Sequence, residues 1–119
     1  MKSFGRAFLE GATGAVLLAL VAGSQVQKAS AGDVMAGRQK AEKCAVCHGM
    51  DGLGKIAEAP NLAGQNENYL LAQLTAFKNG ARTNEQMSVV IQDLSDVDME
   101  NLAAYYSAIE IKVEKVPGQ

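Results

Sequence analysis

The chain holds two cysteines and one histidine, and all three fall in one pentapeptide, Cys44-Ala45-Val46-Cys47-His48. On a helix, residues three apart share a face. Two thiols at that spacing match the two vinyl groups along one edge of a haem, and each can close a thioether. His48, four positions from Cys44, lies on the same face and brings an imidazole to the iron beneath the tethered porphyrin. For this reason C-x-x-C-H reads as a c-type haem attachment site, with one haem c held covalently through Cys44 and Cys47.

Other chemistries compete for the same residues. A thioredoxin-like thiol pair calls for a βαβ context, and no alternating strand pattern is visible. A closed zinc site needs four ligands; Cys44, Cys47 and His48 supply three, and no second Cys or His pair exists. A plain disulfide would close a very small loop and remove little unfolded-state entropy. A haem-free thiol redox or metal-binding protein is therefore the alternative from another class.

With His48 on the iron, soft candidates for the opposite face are Met35, Met50, Met87 and Met99. Met50 stands two residues from His48 and does not easily reach the other face. Met35 lies upstream on the same helix as the cysteines. Met99 fits the apolar stripe of the last helix, so packing accounts for it. Met87 stands in a polar segment between helices, where no stripe explains it and a loop can carry it across the haem. A thioether ligand favours reduced iron and raises the potential. Six-coordinate iron has no vacancy for oxygen or peroxide, which points to one-electron transfer rather than oxygenation or other catalysis by this chain alone.

These residues need a scaffold, and a leader precedes it. Lys2 and Arg6 begin the chain, a charge-free apolar run follows from Gly11 to Gly23, and Ala29-Ser30-Ala31 closes it with a small-x-small pattern. The run falls short of the ~20 apolar residues that a spanning helix needs. It reads as a signal peptide over residues 1–31, cleaved after Ala31, and leaves a domain over 32–119 with no integral membrane span. No twin-Arg pair is present, so export of an unfolded chain to a bacterial periplasm is expected.

The full chain has 119 residues, is 48% hydrophobic and carries a net charge of −2. That fits one folded domain, and the absence of a basic excess argues against nucleic-acid binding. Beyond the leader the aromatics are only Tyr69, Phe77, Tyr105 and Tyr106. So small a core is marginal alone, and a buried cofactor would complete it.

The pattern predicts helices and one long loop. Asp33 caps a helix running to about Ala45, with Met35, Ala36, Ala41, Cys44 and Ala45 at helical spacing. Gly49 to Ala59 is a glycine-containing loop, continued in turn or extended form by Pro60 to Gly64. Glu67 to Asn79 is a second helix with Gly80 as its stop. Ala81 to Met87 is irregular and Ser88 to Gln92 a short helical stretch. Ser95 opens the last helix, with Asp98 completing a near capping box and Met99, Leu102, Ala103, Tyr106 and Ile109 along its apolar side. The fold class is all-α.

Gly37-x-x-x-Ala41-x-x-Cys44-x-x-Cys47-His48-Gly49, then Pro60-Asn61-Leu62, Met87 and Leu102-x-x-Tyr105-Tyr106 resemble class I cytochrome c. The pattern is most similar to the short monohaem periplasmic cytochromes of bacteria, and the haem subunit of flavocytochrome c sulfide dehydrogenase is close in pattern. The resemblance covers about residues 32–110. It implies about four to five helices wrapped around one haem, with axial ligands His48 and Met87. It further implies that the Pro60 carbonyl accepts the ring N–H of His48, and that Gly37 lets the first helix pack on the last near Tyr105. Tyr69 either donates to a haem propionate or packs. Family members often carry Pro soon after the axial Met; Ser88-Val89 follows here. Two roles fit: a diffusible electron carrier with transient redox donors and acceptors, or a haem subunit of an oxidoreductase, for instance with a flavoprotein partner. Arg38, Lys40, Lys43 and Lys55 surround the attachment segment and are candidates for steering a partner.

Overall fold

The computed structural model describes residues 32–119, and the signal peptide expected over 1–31 lies outside them. The described residues form five α-helices with no strand. Helix α1, Val34–Lys40, starts at Asp33, whose carboxylate accepts the N–H groups of Met35 (2.8 Å) and Ala36 (3.0 Å). A 3-10 turn, Ala41–Lys43, follows, and α2, Ala45–His48, carries the attachment motif.

The single helix expected from Asp33 to Ala45 is thus broken. At Cys44 the N–H bonds back three residues, to Ala41 O at 2.9 Å, before α2 begins. Apolar spacing cannot foretell this, because i→i+3 and i→i+4 bonding leave nearly the same residues on one face. α2 ends at Gly49, whose φ of 73° only glycine adopts freely.

The loop from Gly49 is closed by its own backbone. Gly52 O accepts from Leu62 N at 2.7 Å and Ala63 N at 3.0 Å, and Cys47 O accepts from Lys55 N at 2.7 Å. Helix α3, Glu67–Lys78, is capped by Asn66 Oδ1 on Tyr69 N and buries Leu70 and Phe77.

Helix α4, Met87–Val90, runs directly into a 3-10 turn, Ile91–Asp93. Met87 was expected in an irregular stretch and is instead the first residue of α4. The cause is Asn84, whose Oδ1 accepts from Gln86 N at 3.1 Å and Met87 N at 3.0 Å. Helix α5, Asp96–Ser107, opens with a complete capping box between Ser95 and Asp98 and buries Met99, Leu102, Ala103, Ala104 and Tyr106. It stops at Ala108, so Ile109, expected on the helix, lies past its end.

α5 is the central element, with α1 and α3 packed against it. Gly37 makes the α1 contact possible: a Cβ there would overlap Asn101 O and stand 2.8 Å from Tyr105 Cβ. The core joins Ala41, Leu70, Phe77, Ile91, Leu94, Met99, Leu102, Ala103 and Tyr106. Four helical segments therefore share one small core, and the attachment motif hangs on its edge.

Candidate haem site

His48 is the one buried polar or charged side chain among the described residues, 7% exposed. Its Nδ1 lies 3.0 Å from Pro60 O. A carbonyl only accepts, so Nδ1 holds the proton and Nε2 presents its lone pair. This is the contact the resemblance implies for Pro60, whose own side chain stays exposed.

Two further ties come from α5. Tyr105 donates its hydroxyl to Met50 O at 2.7 Å, and Tyr106 donates to Gly49 O at 3.3 Å. The two rings meet edge to face, 5.1 Å between centroids. The last helix therefore grips the two residues that follow His48. Burial pushes the Tyr106 hydroxyl well above its usual range, so it stays a protonated donor. The sequence marked Tyr105 and Tyr106 as helix packing and as part of the family pattern, but not their hydroxyl ties; the adjacent pair in an aromatic-poor chain was the available signal.

Cys44 and Cys47 are unbridged and half-buried. Burial, and after it the neighbouring Cys47, push the free Cys44 thiol up. A thiol-redox site needs the opposite shift, toward thiolate. Among the described residues no three His, Cys, Asp or Glu side chains converge on a metal site.

The surroundings fit a porphyrin. Cys44, Leu62, Leu71, Leu74 and Met87, from four separate segments, pack on the core yet remain partly uncovered. A flat apolar macrocycle tethered at Cys44 and Cys47 would cover such surfaces. The methionines separate by environment. Met35 is 64% exposed on α1, Met99 is 2% exposed within the core, and Met50 adjoins the motif itself. Tyr69 is half exposed on α3. Of the four basic residues around the motif, Lys40 pairs with Asp98 at 3.0 Å and Lys55 with Asp51 at 2.8 Å. Arg38 and Lys43 make no ion pair among the described residues.

An all-α domain with a C-x-x-C-H segment, its histidine ring oriented by a carbonyl, defines a c-type haem protein. Residues 34–108 match the cytochrome c family model, and the chain belongs to the cytochrome c family. Haem c, bound covalently through Cys44 and Cys47, is its cofactor. The chain is similar to cytochrome c4 of Pseudomonas aeruginosa, with 43% identity over 84 residues covering 71% of this chain and 42% of that protein. It is also similar to cytochrome c-554(548) of Halomonas halodenitrificans, with 42% identity over 83 residues covering 67% of this chain and 100% of that protein. A solved thiosulfate dehydrogenase (TsdBA) from Marichromatium purpuratum superposes with a TM-score of 0.62 and 38% identity, covering 71% of this chain and 21% of that one. The chain spans less than half the length of the cytochromes c4 it matches.

Proposed function

We propose that this chain carries single electrons in a bacterial periplasm, with His48 and Met87 as the two axial ligands of its haem. The observation that carries the proposal is the Pro60 O···His48 Nδ1 contact, which reserves Nε2 for iron. Met87 is the methionine that is both half-buried on the core and remote in sequence from the attachment motif. Its backbone is held there by Asn84 Oδ1, which accepts from Met87 N at 3.0 Å in the turn ahead of α4.

When bound, the haem supplies a reversible one-electron couple. The chain's part is to tether, orient and shield. Cys44 and Cys47 fix one edge, and the Pro60 carbonyl holds the His48 ring and sustains its basicity. Leu62, Leu71 and Leu74 exclude water from the flanks, which sets the local dielectric and with it the potential. Tyr69, half exposed, is available to a propionate. Residues 1–31 are assigned to an export signal cleaved after Ala31, because haem attachment to cysteine in bacteria follows export. No helix among the described residues is long and apolar enough to cross a membrane.

The test is an optical spectrum of purified exported protein, oxidised and reduced, with its intact mass. A weak red-edge band in the oxidised form, lost in Met87→Ala, supports the ligand pair; its survival in that variant rejects it. The mass must equal residues 32–119 plus one haem.

A second role, haem subunit of an oxidoreductase, is favoured by the likeness to part of the thiosulfate dehydrogenase. A dehydrogenase or flavoprotein that co-elutes in size-exclusion chromatography supports it; elution as a free small protein supports the carrier.

A further inference from the structure

We propose that Lys78 is a positioning residue for the axial methionine, its ammonium fixing from α3 the far end of the helical run that Met87 begins. The inference rests on the ligand pair assigned above. Lys78 Nζ donates to Gln92 O at 2.6 Å, Leu94 O at 2.8 Å and Ile91 O at 3.3 Å. An ammonium has three protons and no acceptor, so its whole donor capacity goes to this one turn. Last-turn carbonyls tend to lack donors within their own helix and form the negative end of its dipole; Ile91 O also accepts from Leu94 N at 3.1 Å, so the Lys78 bonds to Gln92 O and Leu94 O carry most of the tie. A cation placed there satisfies both demands, through charge-assisted bonds stronger than neutral ones.

The run from Met87 to Asp93 is short and needs anchors at both ends. At the start, Asn84 Oδ1 accepts from Gln86 N and Met87 N, and Ser88 Oγ accepts from Asn84 N at 3.1 Å. Yet Asn84 itself sits on an exposed stretch, residues 79–86, with no buried side chain to root it in the core. Ile91, fully buried, and Leu94 peg the run to the core, but apolar contacts are non-directional. Lys78 differs from all of these: it grows from the end of α3, which Leu70 and Phe77 root in the core. It is the directional polar tie between that helix and the turn at the end of Met87's helix. Removing it leaves fold and haem attachment in place and lets Met87 yield its position to a competing ligand more readily.

The experiment uses exported, haem-loaded full chain in four forms: parent, Lys78→Met, Met87→Ala and the double variant. Imidazole is titrated into each ferric protein, and the red-edge band and the Soret shift report displacement. Lys78→Met is expected to bind imidazole about tenfold more tightly than the parent, a factor within reach of one lost charged hydrogen bond. Against a Met87→Ala background the same change is expected to move imidazole affinity by less than about twofold, since no methionine remains to be positioned. A tenfold effect that persists in that background makes Lys78 a general fold residue and overturns the inference. Parent-like affinity in Lys78→Met, with the band lost in Met87→Ala, overturns the role of Lys78 and keeps the ligand pair. A band surviving Met87→Ala overturns the ligand pair and this inference with it. If Lys78→Met yields no haem-loaded protein, Lys78→Gln, which keeps two donors without the charge, enters the same titration on the same criteria.

Discussion

The His48 ring and the Pro60 carbonyl meet at 3.0 Å across twelve residues of chain, and this contact leaves Nε2 as the nitrogen available to iron in the proposed ligation. A bond from Nδ1–H to a carbonyl raises the basicity of the ligating nitrogen, which favours ferric iron. Pro60→Ala keeps the carbonyl but frees the backbone φ that proline locks, so the contact loosens. The potential is expected to rise by up to about 60 mV, a factor of ten in a one-electron equilibrium. Voltammetry of the purified protein measures it; an unchanged or lower potential contradicts the argument.

Met87→Ala tests the other side of the iron. If Met87 is the ligand proposed, loss of its thioether removes a group that favours reduced iron. The potential is expected to fall by ~0.1 V or more, a modest part of the roughly 0.8 V span that axial ligands command. Added imidazole or cyanide then binds without competition. An unchanged potential with weak imidazole binding points to another ligand.

Much of this architecture was legible because local signals and packing agree. A Leu70–Leu71–Leu74–Phe77 stripe ending at Gly80 announces α3, and Ser95 with Asp98 announces α5. The attachment motif is legible because its chemistry is confined to five consecutive residues. What escaped depends on distant partners or on subtle bonding. The 3-10 turn at Ala41–Lys43 hides behind helical periodicity, and the start of α4 turns on the single Asn84 side chain. The hydroxyl ties from Tyr105 and Tyr106 span 55 and 57 residues, and no sequence spacing encodes them.

Gly37→Ala probes the crossing of α1 and α5. The new methyl would overlap Asn101 O and crowd Tyr105 Cβ at 2.8 Å, so the helices must separate. Overpacking costs typically 1–3 kcal/mol and alanine regains up to about 1 in helix propensity, leaving a net loss of roughly 1–2 kcal/mol. Guanidinium unfolding of the haem-loaded protein is expected to show it, with the methionine band retained. Parent-like stability would mean that the crossing tolerates a side chain.

Partner steering is expected to rest on Arg38 and Lys43, because Asp98 and Asp51 already offset Lys40 and Lys55. Local charge pairing weakens the field a partner meets, and salt screens what is left within ~10 Å at 0.1 M. Lys43→Gln is expected to slow electron transfer with an anionic partner more than Lys55→Gln does, the gap closing as salt is added. Stopped-flow rates against ionic strength measure this, and a flat profile for the parent rejects steering altogether.

Asp98 ties the capping box of α5 to α1. Its carboxylate accepts from Ser95 N at 3.0 Å and pairs with Lys40 at 3.0 Å. The Ser95 N–H first, and then Lys40, hold the carboxyl at about 2, against about 3.9 in an unfolded chain. A depressed folded value means that the stabilisation is complete above the unfolded value and disappears as pH falls through the folded one. Asp98→Ala is therefore expected to cost about 1 kcal/mol or less at neutral pH, the group being solvated enough for screening. That cost should shrink between about pH 4 and pH 2. Guanidinium midpoints for parent and variant would converge over this window. Curves that stay parallel down to the lower end would place the acid sensitivity of the fold somewhere other than the α1–α5 link.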